Sequence, residues 1–311
     1  MTFSNNVKKE LSELKINSKL EALIELSSIL KMNASISIRN AFININFVSE
    51  SEYVIRRIYK LVEYLYSYES SIGRYANNNI MKDGLYNLII EDDDISKRIL
   101  NDSGIDIFGI YTTKISKLFS RIKSLKERGY SSFLRGVFLG AGSIVDPQKS
   151  YHLEMVITSK EDLELINRVL NQVNIEVLFN IRKEKGIIYI KNSDIISNFL
   201  LVIQATNSML KFENIRVEKD VRNNINRRMN FDIANINKTI ETSMKQILDI
   251  NLVEEKGLMP EDLKELAKLR KENPDYSLQK IANMLNPPIS KSSVAYKMNK
   301  IKNIAKKIKN T

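Results

Sequence analysis

Apolar positions along the first hundred residues change period repeatedly, and each change marks a new element. Val7, Leu11 and Leu14 recur at helical spacing behind Ser4, a candidate N-cap, and predict an amphipathic entry helix over residues 1–15. Apolar and polar residues then alternate through Ser35–Arg39 and Phe42–Val48, the pattern of two half-buried strands. Val54, Ile58, Leu61, Val62 and Leu65 return to helical spacing and predict a helix over Ser51–Tyr66, with Arg56, Arg57 and Lys60 on its other, solvated side. The asparagine-rich stretch Tyr75–Asp83, followed by Gly84, reads as a turn or mobile loop, Leu85–Ile90 as a strand and Ile95–Leu100 as a short helix. The acids of Glu91–Asp94 invite a metal site, but carboxylates are favoured at a helix N-terminus, so capping of the following helix by Asp94 and its neighbours accounts for them. Residues 101–129 lead onward through a connecting helix expected at Thr113–Lys126.

The next apolar stretch, Phe133–Ser143 (FLRGVFLGAGS), carries Gly136, Gly140 and Gly142 inside a helical pattern. Glycine in a helix costs about 1 kcal/mol relative to alanine, so the run calls for a compensating gain, most simply close helix–helix packing. A weaker copy lies upstream: Leu26–Ser35 aligns without gaps on Leu134–Ser143 at an offset of 108 residues, with Ser28 where the second copy has Gly136. The elements after each copy match as well. The second is followed by strands at Ser143–Val145 and Tyr151–Thr158, a helix at Lys160–Val173, strands at Ile175–Lys183 and Ile187–Lys191, and a helix at Asp194–Gln204. Each half therefore reads αββαββα, an internal duplication that assigns the chain to the α+β class. Ser28, Gly136 and Gly140 are the expected packing positions between the two halves.

Beyond Leu210 strand patterns stop and everything is helical, which marks a domain boundary. The expected division is residues 1–210 as one α+β domain (halves about 1–105 and 128–210), 211–255 as a helical arm, and 256–311 as an all-α domain. The arm carries Arg222, Arg227 and Arg228, which either touch phosphate or keep the arm soluble. In the last domain Met259–Lys271 begins with Pro260 followed by acids, and Ser277–Leu285 buries Leu278, Ile281, Ala282 and Leu285. Asn286-Pro287-Pro288 then forces a turn, Ser290 caps the next helix, and Val294, Met298, Ile301 and Ala305 form its apolar side. Two short helices, a forced turn and a third helix make a helix-turn-helix.

Composition narrows the chemistry. Of 311 residues 43 % are hydrophobic, none is cysteine and one is histidine, which excludes disulfides, thiol nucleophiles and zinc clusters. His152 reads as an ordinary strand histidine. No run approaches the ~18 apolar residues of a membrane span, and Ser4–Leu14 is too charged for a signal peptide, so a cytoplasmic location is expected. The net charge of +11 invites a polyanion, and its distribution is decisive: Ser277–Thr311 holds eight lysines and no Asp or Glu. Ser292, Tyr296, Asn299 and Asn303 lie opposite the apolar side of the last helix, flanked by Lys291, Lys297 and Lys300. Helix-turn-helix units insert the start of such a helix into the major groove, so Ser290, Lys291, Ser292, Ser293, Tyr296, Lys297, Asn299 and Lys300 are the expected DNA contacts. Lys280 joins Arg222, Arg227 and Arg228 as a candidate phosphate contact.

The duplicated half resembles the LAGLIDADG homing-endonuclease fold, and the whole chain resembles the WhiA sporulation-regulator family. The matching stretches are TFSNNVKKEL, FLRGVFLGAGSIVDPQKSYHLEM, VRNNINRRMNFDIANINKT and NPDYSLQKIANMLNPPISKSSVAYKMNKI, in that order. The resemblance implies a saddle-shaped, degenerate endonuclease domain followed by a DNA-binding helix-turn-helix. In active LAGLIDADG enzymes the last acid of each motif binds a divalent metal, and those positions here are Asn33 and Ala141. Neither supplies the anionic oxygen that Mg²⁺ requires, so no catalytic residue and no metal is expected. The chain departs from the family in its Ser-rich first copy and in lacking the paired cysteines often found near these helices.

The function so implied is a DNA-binding regulator, with no cofactor and no small-molecule substrate. It would act in bacterial cell division, chromosome segregation and, where present, sporulation, at the nucleoid. The saddle would add DNA contacts or dock another regulatory protein, and the sequence leaves both open. The alternatives are a protein-docking scaffold that binds DNA incidentally and a residual Mg²⁺-dependent nuclease.

Overall fold

The first apolar stripe becomes the buried side of α1 (Phe3–Glu13), where Phe3, Val7 and Leu11 face the core. Its N-cap is Thr2, whose hydroxyl accepts from the Asn5 amide, rather than Ser4. The helix starts two residues earlier than an N-cap at Ser4 implies, and Ser4 Oγ is left to accept from the amide of Ile144. α2 (Lys19–Asn33) is capped by Ser18 and buried on nearly every side. β1 (Ala34–Arg39) and β2 (Phe42–Ser49) form a hairpin in which Ile43, Ile45 and Phe47 point inward. α3 (Glu52–Tyr66) follows, then β3 (Ser71–Tyr75), β4 (Leu85–Ile90) and α4 (Asp93–Ser103). Asp92 caps α4, with Asp93 and Asp94 in its first turn; the acidic run caps a helix, as its spacing suggests, but through Asp92 rather than Asp94.

This computed structural model describes all residues except Ala41, 76–83, 106–113, 183–184 and Thr311. The expected loop over Tyr75–Asp83 lies outside them apart from Tyr75, as does Thr113 at the start of the expected connecting helix. That helix is α5 (Lys114–Ser124). The second copy then runs α6 (Glu127–Ala141), β5 (Gly142–Ile144), β6 (Leu153–Ile157), α7 (Lys160–Gln172), β7 (Leu178–Arg182), β8 (Lys185–Ile190) and α8 (Ser193–Val202). The two sheets are built alike: all neighbours are antiparallel, in the orders β1-β2-β4-β3 and β5-β6-β8-β7. The duplication read from the sequence is thus a duplicated topology, and β3 is the strand that the αββαββα reading calls for in the first half without placing it.

Among the described elements α2 and α6 form the most extensive helix pair. A Cβ on Gly136 would lie 2.5 Å from the Glu25 carbonyl oxygen and 2.6 Å from Ser28 Cβ, and one on Gly140 would lie 2.7 Å from Met32 Cβ. The serines of the first copy fit this crowded seam because their hydroxyls bond within the helix, Ser27 Oγ to Leu23 O at 2.6 Å and Ser28 Oγ to Ile24 O at 2.7 Å.

The expected solvated face of α3 needs correcting at Arg57, which is 1 % exposed. Its Nε and Nη2 donate to Glu25 at 2.7 and 2.9 Å, and Arg135 Nε on α6 donates to the same carboxylate at 2.9 Å. Arg135 also reaches Gln204 Oε1 at 2.8 Å, and Arg57 reaches the carbonyl of Leu14. Burial would push the Glu25 carboxyl up, but the charges and hydrogen bonds of Arg135 and Arg57 outweigh it and hold the group below its ordinary value.

The chain divides into two compact units, Met1–Lys219 and Asp220–Thr311. α9 (Thr206–Glu255) runs from one into the other. In the second unit Ile250 and Val253 of α9 share a core with α10 (Glu261–Glu272), α11 (Leu278–Met284) and α12 (Lys291–Lys309).

Candidate nucleic-acid interface

Two places in the molecule answer to the chemistry expected of the sequence. The first is the end of the motif helices. Asn33 Nδ2 donates to Gly140 O at 3.3 Å, and Asn33 Oδ1 accepts from the Val48 amide at 3.2 Å. The residue at the motif's acid position is therefore a stitch between α2, α6 and β2, with both ends of its amide engaged. A cleft of about 810 Å³ opens beside it, lined by Asn33, Ser143, Ser49, Lys8 and the carboxylate of Glu50. Burial lowers the affinity of Lys8 for its proton, and nearby Glu50 partly restores it. Among the described residues no group of three His, Cys, Asp or Glu side chains is placed to hold a metal ion. His152 meets Glu154 at 3.3 Å and stacks obliquely on Tyr189, and the strand it was expected to join begins at Leu153.

The second place is α12. Ser290 caps it by accepting from the Ser293 amide at 3.1 Å, and its hydroxyl also meets those of Ser292 and Ser293, each at 2.8 Å. The buried stripe is Val294, Met298, Ile301 and Ala305, which fixes the opposite side outward. On that side Ser292, Ser293, Asn299 and Lys300 are exposed, and Tyr296 keeps 71 % of its surface. Ser292, Ser293, Tyr296, Lys297 and Lys300 surround one open groove. Asn299 borders a different groove, against α9, and Lys291 a third.

Two of the expected cations are not free. Lys297 Nζ donates to the Asp262 carbonyl at 2.9 Å and lies 3.6 Å from its carboxylate, and Lys300 Nζ lies 3.9 Å from the same group. Asp262, in the first turn of α10, thus offsets part of the positive field of a tail that has no acid of its own. Its neighbourhood to α12 was hidden because Pro260-Glu261-Asp262 already had a complete explanation as a helix start. Lys280 Nζ sits 3.7 Å over the Tyr276 ring, and Arg222, Arg227 and Arg228 stand on the exposed stretch of α9. No helix among the described residues is long and apolar enough to cross a membrane.

Family models of known proteins cover both places. The model of the WhiA N-terminal LAGLIDADG-like domain matches residues 19–106, that of the WhiA LAGLIDADG-like domain residues 130–222, and that of the WhiA C-terminal HTH domain residues 225–305. The "Probable cell division protein WhiA" of Clostridium botulinum is 32 % identical over 314 residues, covering 99 % of each chain. The protein of that name from Staphylococcus epidermidis is 34 % identical over 315 residues, covering 100 % of this chain and 98 % of its own. Among solved structures, "full-length DUF199/WhiA from Thermatoga maritima" aligns over 99 % of both chains at 27 % identity with a TM-score of 0.60. The chain is a member of the WhiA family, with two LAGLIDADG-like domains followed by a helix-turn-helix domain.

Proposed function

We propose that this chain is a double-stranded DNA-binding transcriptional regulator of bacterial cell division and chromosome segregation, and of sporulation where it occurs, acting at the nucleoid. The supporting observation is α12: a capped helix without an acid, its apolar side buried, its outward side formed by Ser292, Tyr296, Asn299 and lysines. In this reading residues 1–210 form the saddle, 211–255 the arm and 256–311 the helix-turn-helix. α12 enters the major groove, where side-chain donors and acceptors meet base edges while lysines neutralise phosphates. Tyr296 and Asn299 read bases; Lys291, Lys297 and Lys300 position the helix, and Arg222, Arg227, Arg228 and Lys280 add phosphate contacts. Lys297 and Lys300 exchange Asp262 for phosphate on binding.

The LAGLIDADG-like domains do not cleave DNA in this reading, because Asn33 and Ala141 stand where metal-binding acids are required and Asn33 is committed to Gly140 and Val48. Incubation of supercoiled plasmid with Mg²⁺ or Mn²⁺ is expected to leave it intact; nicking would overturn this part.

The saddle suits a protein partner better than a phosphate backbone. Phe42 and Leu178 stand on the sides of their sheets away from the core, yet are 60 % and 53 % exposed. Apolar groups there stabilise a protein contact and do nothing for a phosphate. Replacing Phe42 and Leu178 by Ser together is expected to leave DNA affinity unchanged while abolishing regulation in the cell. A loss of DNA affinity would assign these sheets to DNA instead.

A further inference from the structure

The helix-turn-helix unit holds a cationic recess of whose lining only Lys291 is among the expected DNA contacts. It measures about 420 Å³, and no Asp or Glu lines it, whereas Lys238 of α9, Arg270 of α10 and Lys291 of α12 all do. Arg270 is 1 % exposed and has no carboxylate partner among the described residues. Its Nη1 donates to Tyr276 O at 2.8 Å, to Ser243 Oγ at 3.2 Å and to Asn273 O at 3.3 Å, while its Nε has no hydrogen-bond partner. Buried arginines are ordinarily matched by an acid, because an unbalanced charge in a low-dielectric interior is costly. Among the described residues no ion pair involves Lys238 or Lys291, so neither lysine is held by an acid, unlike Lys245 on the same helix as Lys238, which meets Glu241.

We propose that this recess is a clamp for one DNA backbone phosphate, closed by Lys238 and Lys291 over the buried charge of Arg270, so that α9 meets the backbone inside the helix-turn-helix unit as well as through its exposed arginines. The inference rests on the DNA-binding reading of α12. Lys291 is the first residue of that helix, and the walls of a major groove are phosphate, so a cationic recess beside the start of a groove-entering helix faces the backbone rather than a base. Asn235, one turn before Lys238 and also lining the recess, supplies a neutral amide donor to the same oxygen set. Thr239 and Thr242, on the same stretch of α9, already donate to Asn235 O and Lys238 O and are not assigned to the phosphate. Arg270 positions the phosphate electrostatically and does not touch it.

The test is fluorescence anisotropy of the full chain on specific and random duplexes across a salt series, comparing Lys238→Gln with Lys245→Gln. Lys245 lies on the same helix but is paired with Glu241 at 3.5 Å. Lys238→Gln is expected to weaken both duplexes on the order of tenfold and to reduce the salt slope by about 0.9, with Lys245→Gln close to the parent chain. The Lys238→Gln, Lys291→Gln double variant should reduce the slope by about 1.8. An unchanged slope in Lys238→Gln, with the parent chain binding DNA normally, overturns the clamp and leaves α12 as the reader. Failure of the parent chain to bind any duplex overturns the DNA reading itself. A parallel melting series in inorganic phosphate at constant ionic strength separates the sources. If phosphate stabilises the parent chain but not Lys238→Gln, while DNA affinity is equal in both, the recess belongs to a free anion and the clamp is wrong.

Discussion

Glu25 shows how a single residue can hold four elements. Its carboxylate lies between Arg57 of α3 and Arg135 of α6, and those guanidiniums reach on to the Leu14 carbonyl and to Gln204. Glu25→Gln leaves two buried cations without a counter-charge and should cost about 3–5 kcal/mol, read from urea unfolding. Replacing Glu25, Arg57 and Arg135 together by Leu and Met should cost far less, because the desolvation of all three charges is removed along with their attraction. Since the folded carboxyl is held below its ordinary value of 4.5, its contribution is fully present above that value. It is lost as pH falls through the lower folded value, so unfolding free energies from neutral to acid pH should drop in the parent and less in the triple variant. Asn33 is the second informative residue. Asn33→Asp restores the motif's acid but turns a donor toward Gly140 O into a second acceptor, which should destabilise by about 1–3 kcal/mol without creating nuclease activity.

At the scale of elements, most of the fold was legible because its periods are clean. The alternation of Phe42–Val48, the stripes of α3 and α12 and the repeated small-residue helix each map onto an observed element. What the pattern hid has several causes. Arg57 reads as solvated beside Arg56 and Lys60, although it lies three residues after buried Val54 and four before buried Leu61. The αββαββα reading includes a strand before Leu85–Ile90 but does not place it, because Ser71–Tyr75 lacks an apolar alternation. Lys238 and Arg270 gained meaning only once α9, α10 and α12 were seen around one recess. The glycine seam gives a direct prediction here. Gly136→Ala forces a methyl group against Glu25 O and Ser28 and should lower stability by about 1–3 kcal/mol, whereas Ser28→Gly should relieve the crowding in that variant. A melting series of the two single variants and the double checks it, since additive losses would mean that the two sites do not share a contact.

For the whole molecule, one chain joins a duplicated LAGLIDADG-like scaffold to a helical unit that carries most of the unbalanced positive charge. The central claim is that α12 reads sequence. The most direct test is anisotropy of the full-length chain on its best duplex and on a scrambled one, with Tyr296→Ala and Lys300→Ala alongside. Tyr296→Ala should lose about 1–3 kcal/mol on the best duplex alone, and Lys300→Ala should weaken both duplexes equally and reduce the salt slope by about 0.9. If Tyr296→Ala binds both duplexes like the parent chain while every lysine variant weakens them, α12 holds DNA without reading it, and the account of sequence recognition is wrong.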